Sequence, residues 1–142
     1  MASTATVLAK VKAMTTDAPI NHREEYTRSY KKGATIFLKG DVGNCMYVLI
    51  SGQVEIRLDD LILDVINPGG MFGEMGIIDH APRAAVAVAT SACSVLVIDE
   101  EHFLELVHEQ PFFALKVLRT AMGRVRKALK LVPSVSHADT ND

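Results

Sequence analysis

Met71-Phe72-Gly73-Glu74-Met75-Gly76-Ile77-Ile78-Asp79-His80-Ala81-Pro82-Arg83-Ala84-Ala85-Val86 is the stretch of this chain whose residue types and spacing could do chemistry. Gly73 and Gly76 carry no Cβ, so a ligand could approach the backbone closely. A short helix starting near Glu74 would aim free N–H groups and a positive dipole end at an anion. Arg83 could neutralise that anion with its planar fork, and Glu74 could accept a hydrogen bond from a sugar hydroxyl. The small Ala84 and Ala85 leave their backbone N–H groups free to reach the same anion. Together these parts suit a molecule with one phosphate and one ribose.

Such a segment needs a frame to hold it. From about residue 22 to 98 the chain reads as short β segments punctuated by glycine. Ala34–Leu38 and Met46–Ile50 are two of them, the second ending at Ser51-Gly52. Gln53–Leu58 and Leu61–Ile66 alternate around Asp59-Asp60, a two-residue turn that closes a hairpin. Asn67-Pro68-Gly69-Gly70 forms a further turn just ahead of the glycine-rich segment. Ala84–Ile98 is uncharged but too short to cross a membrane as a helix, and reads as two strands joined at Thr90–Ala92. Many short strands with such turns predict a jelly roll or related antiparallel barrel.

Helices flank this region. Val7, Leu8, Val11 and Met14 share one face of an N-terminal helix, with a connector through Pro19. Asp99 is placed to cap a helix over Glu100–Glu109, and Pro111 can open another that runs to about Leu131. In that last helix Leu115, Leu118, Met122, Val125, Leu129 and Val132 make an a/d seam. The seam could dock on the β region or pair with a second copy. Lys116, Arg119, Arg124, Arg126, Lys127 and Lys130 give the helix a basic face with no acidic residue. The expected organisation is therefore residues 1–21 helix and connector, 22–98 β region with the ligand segment at 71–86, 99–132 paired helices, and a disordered tail from 133 to 142.

Composition narrows the function. A 142-residue chain with 49% apolar and 23% charged residues is one ordinary globular domain. A net charge of −2 argues against bulk electrostatic binding to nucleic acid. Cys45 and Cys93 stand apart with no CxxC partner, which points to two reduced thiols in a cytoplasmic protein. Five histidines without an HxH or HExxH pattern give no metal site, and no nucleophile grouping or Walker loop appears.

The FGE, short helix and PRAA order of residues 72–85 resembles the phosphate-binding cassette of cyclic nucleotide-binding domains. Gly33, Gly40-Asp41, Tyr47 and Gly52-Gln53-Val54-Glu55 also match that family's β-roll, so the likeness covers roughly residues 28–131. The resemblance implies an eight-stranded antiparallel β-roll with a cassette helix, an N-terminal helix and two C-terminal helices. It also implies that Arg83 pairs with the exocyclic phosphate oxygens and Glu74 accepts the ribose 2′-hydroxyl. Gly73, Met75, Gly76, Ala84 and Ala85 would complete the ligand shell. Phe72, Val65, Arg124 and Leu129 are the expected base lining, with Leu129 as an apolar lid or Arg124 stacked on the base.

In many cGMP-preferring members a threonine or serine follows the cassette arginine. Ala84 removes that hydroxyl, so the expected ligand is cAMP, with cGMP weaker and no metal or other cofactor. The chain reads as a stand-alone sensor without catalysis, membrane insertion or direct DNA binding. It would pass its signal to a separate protein by moving its C-terminal helices. A regulatory piece of a larger channel, kinase or transcription factor, or a scaffold with a non-binding cassette, are the alternatives.

Overall fold

The computed structural model describes residues 26–131. The expected N-terminal helix, its connector and the tail lie outside the described residues, as does Val132.

Two four-stranded antiparallel sheets face each other. In the first, β1 (Thr27–Tyr30), β8 (Cys93–Asp99), β3 (Cys45–Ser51) and β6 (Met71–Phe72) lie side by side in that order. In the second the order is β2 (Thr35–Phe37), β7 (Val86–Ala89), β4 (Val54–Leu58) and β5 (Leu61–Ile66). The expected strands recur within a residue or two, and Asp59 takes φ 54° in the turn joining β4 to β5. Aspartate tolerates that left-handed conformation better than most residues.

The two sheets are buried differently, and the sequence pattern shows why. Tyr47, Leu49, Val95 and Phe72 meet Val54, Ile56, Ala87 and Ala89 between the sheets. Met46, Val48, Leu96 and Ile98 point the other way, from the outer face of the first sheet. That face is covered by α1 (Met75–Ile78), α2 (Glu100–Glu109) and α3 (Phe112–Leu131), through Ile77, Leu106, Phe113 and Val117. A strand buried on both faces must be apolar throughout, which accounts for the unbroken Met46–Leu49 run.

Asp99 caps α2 as expected, its carboxylate accepting from His102 N at 2.8 Å. The last helix docks by a stripe other than the a/d seam. Its buried residues are Phe113, Val117, Ala121 and Arg124. Leu115, Leu118, Met122 and Leu129 are exposed and Val125 is half-buried. Docking of the seam on the β region is therefore corrected. The roll is met by a neighbouring face that contains an arginine, which an apolar count passes over.

Candidate functional site

The cassette is built from β6, α1 and the loop leading to β7. Arg83 is fixed first through its backbone. Its carbonyl accepts from Gly40 N at 2.7 Å, and its N–H donates to the Asp41 carbonyl at 2.8 Å. Asp41 in turn closes its own loop by accepting Leu38 N on its carboxylate at 3.0 Å. The Gly40-Asp41 pair is thus the rest on which the arginine sits.

The side chain of Arg83 turns inward and is only 5% exposed. Nη1 donates to the Gly73 carbonyl at 2.7 Å and Nη2 to the Cys45 carbonyl at 2.8 Å. The guanidinium lies over the Phe37 ring at 4.4 Å and near Tyr47 at 5.7 Å. Gly43 must lack a side chain, because a Cβ there would overlap the guanidinium. Every one of these partners is neutral. Among the described residues no carboxylate is in ion-pair contact with Arg83.

Glu74 has the opposite surroundings. It precedes α1, is 2% exposed and makes no cap bond with its side chain. Its carboxylate instead accepts Arg124 Nη1 from α3, at 2.8 Å on Oε1 and 2.7 Å on Oε2. Arg124 also donates from Nε to Asp64 Oδ2 at 3.1 Å and from Nη2 to the Met71 carbonyl. Lys127 Nζ, one turn further along α3, donates to Asp64 Oδ1 at 2.7 Å. Burial alone would raise the Asp64 carboxyl. The Lys127 hydrogen bond and the charges of Arg124 and Lys127 outweigh it and hold the group below the usual carboxylate range.

Asp64 reaches this position because β5 carries a bulge. Ile56 faces Asp64 while Arg57 faces Ile62, leaving Leu63 as an extra residue. One inserted residue exchanges the faces of everything after it. Asp64 therefore shares the inner side with Ile56, and Val65 is opposite Glu55, 42% exposed. The base-lining place expected for Val65 is corrected on this ground.

Both arginines border a cavity of about 250 Å³. Glu74, Arg83 and Arg124 line it together with Gly73, Met75, Ala84 and Ala85. Phe72 and Leu129 also line it, with Ile56, Leu58 and Leu63. Gly76 is not in the lining. It is buried against Gly43, and a Cβ there would stand 2.6 Å from the Gly43 carbonyl oxygen and 2.9 Å from Arg83 Nη1. Its role is to let the cassette close on Arg83. Arg124 does not present its guanidinium to an aromatic base site, since that group is engaged by Glu74, Asp64 and Met71. Sequence reasoning missed Gly43 and Asp64. A glycine in the loop was the available signal for the first; a bulge leaves none for the second.

The family model for the cyclic nucleotide-binding domain matches residues 27–110. The chain belongs to the cyclic nucleotide-binding domain family. It is 33% identical over 106 residues to the cyclic AMP receptor protein of Thermus thermophilus, covering 71% of this chain and 49% of that one. The crystal structure of the Thermus thermophilus catabolite activator protein superposes with a TM-score of 0.67 at 31% identity, over 78% of this chain and 54% of the other. The cAMP-dependent protein kinase regulatory subunit of Eremothecium gossypii is 31% identical over 120 residues, 84% of this chain and 25% of that one. A solved structure described under a cyclic-GMP-dependent signalling pathway that regulates bacterial phytopathogenesis gives a TM-score of 0.60 at 32% identity, over 70% and 82% of the two chains.

The β-roll with flanking helices is thus the fold of the cyclic nucleotide-binding domain. The chain spans about half or less of the length of these curated relatives. Among the described residues no helix is long and apolar enough to cross a membrane.

Proposed function

We propose that the cavity binds cAMP reversibly, with the cyclic phosphate on Arg83 and the ribose on Glu74. The observation that carries this reading is the buried Arg83 guanidinium, which has no anionic partner among the described residues. Burying a charge is costly unless it is paired, so the site is made for an anion. The backbone of Ala84 and Ala85 completes the phosphate end, and Phe72, Ile56, Leu63 and Leu129 wall the base. With Ala84 in place of a hydroxyl-bearing residue, guanine gains no hydrogen bond there and cAMP is the preferred ligand. No metal or other cofactor takes part, and the nucleotide leaves unchanged.

The signal passes through α3. Arg124 now holds the Glu74 carboxylate that the ribose would claim, so a bound nucleotide must share or displace it. A ligand can shift α3 only as far as its affinities for the two positions differ. The exposed seam Leu115-Leu118-Met122 gives that helix a face for a second copy, and the protein acts in the cytoplasm on a separate effector without touching DNA. The greater length of the relatives favours a second arrangement, in which the chain is the regulatory part of a larger protein.

Calorimetric titration of nucleotide-free protein with cAMP and then cGMP tests the reading. Binding of cAMP more tightly than cGMP is expected, with altered amide exchange across residues 112–131. Absence of heat and of thermal shift with both nucleotides would contradict it.

A further inference from the structure

Every glycine of this chain but one has either a positive φ or, where a Cβ would stand, a neighbour closer than 3 Å. The exception is Gly123, inside the unbroken helix α3, where a Cβ would meet nothing within 4 Å. Glycine in a helix interior is less favourable than alanine, because it has more backbone freedom to lose. No turn or close approach requires it here, and it leaves α3 weakest at this point. The attachment of the helix changes at the same place. Before Gly123, Phe113, Val117 and Ala121 are buried, the first two in the core under the outer face of the first sheet. After it the one buried residue is Arg124, tied by hydrogen bonds to Glu74, Asp64 and Met71, with Lys127 on Asp64 one turn on. Val125, Ala128 and Leu129 line the cavity instead. Apolar docking thus ends where the helix is weakest, and polar ties take over.

We infer that Gly123 is a hinge: residues 124–131 swing off the cavity to admit a nucleotide, while the part of α3 before Gly123 stays docked. The inference rests on the proposed use of the cavity and deepens it by naming the part that moves. The helix is straight in the free and the bound protein, and only passage between the two bends it. Alanine at 123 makes the bent form rarer without adding a contact. Entry and exit then slow by the same factor, and the affinity stays where it was.

The test is stopped-flow binding of a fluorescent cAMP derivative to wild type, Gly123→Ala and Thr120→Ala. In Gly123→Ala association and dissociation should each fall about 5-fold, the effect of one such change inside a helix, with Kd held within about 2-fold. Thr120→Ala raises helix propensity on the docked side, removing a hydroxyl that donates to the Lys116 carbonyl, and should leave both rates unchanged. Amide exchange without nucleotide reads the hinge separately. The N–H groups of residues 125–127 bond across Gly123 to carbonyls one turn back, so their exchange should slow by about the same 5-fold in Gly123→Ala. Residues 117–121 should exchange as in wild type. Unchanged rates and exchange in Gly123→Ala, or equal slowing by Thr120→Ala, would overturn the inference, since α3 would then leave the roll in one piece. Failure of wild type to bind cAMP would instead remove the proposed function, and exchange at residues 125–127 would alone decide the hinge.

Discussion

Two buried arginines line one cavity, 5% and 7% exposed, and their partners differ in kind. Arg83 is held by two backbone carbonyls and lies over an aromatic ring, so its charge is solvated by dipoles and left uncompensated. Arg124 is held by two carboxylates and a carbonyl, so its charge is neutralised within the protein. The same side chain therefore does two jobs. In the proposed reading the first receives an anion from outside, while the second ties a helix to the roll. Burial alone would not separate them, and neither would the arginine's place in the sequence. What separates them is whether the protein has already supplied the counter-charge.

The comparison breaks most sharply at the phosphate end. Arg83→Leu removes the uncompensated charge and is expected to cost about 100-fold or more in cyclic nucleotide affinity, as two charge-assisted hydrogen bonds are lost. Its stability should fall little by comparison, because no buried carboxylate is orphaned. Calorimetry and thermal unfolding on the same preparation read both quantities.

Glu74→Gln makes the converse case. The buried Arg124 keeps Asp64 but loses a charged acceptor, which is expected to cost about 1–3 kcal/mol of stability. A fall in Tm of roughly 5–15 °C follows for a domain of this size. Nucleotide affinity should drop by about 10-fold, the weight of one hydrogen bond to a charged group. A variant with unchanged Tm would show that Arg124 does not fasten α3.

Acid separates the ends without mutation. Asp64 is held below its ordinary value of about 3.9 in the folded protein. Its contribution to docking α3 is thus complete above that pH and is lost as pH falls through the lower folded value. Amide exchange in Arg124–Leu131 should rise below about pH 4. The smallest effect is expected at the exposed seam. Leu118→Glu should change stability of the single chain by no more than about 0.5 kcal/mol. Sedimentation of that variant beside wild type would show whether the seam joins two copies.

Much of the cassette was legible in the sequence, because its residues are local. The glycines, Glu74 and Arg83 fall within one short segment, and the turns and caps around it announce themselves by residue type. The Asp59-Asp60 turn, the Asp99 cap and the helix opened by Pro111 are of this sort. What holds Glu74 was not legible, because Arg124 and Asp64 come to it from other segments of the chain. Asp64 arrives there only through a bulge in β5, which leaves Val65 exposed opposite Glu55. The docking face of α3 was hidden for a related reason. A heptad pattern marks apolar positions without saying which partner they meet, and here the buried stripe includes Arg124 while the seam faces outward.

The central claim is that Arg83 is kept unpaired for a phosphate. It is tested most directly by comparing cAMP with adenosine, which carries the base and sugar without the anion, in wild type and Arg83→Leu. Wild type should prefer cAMP by about 100-fold or more, and the variant should bind the two with nearly equal, weak affinity. A preference for cAMP that survives in Arg83→Leu would contradict the account, since the anion would then be held elsewhere.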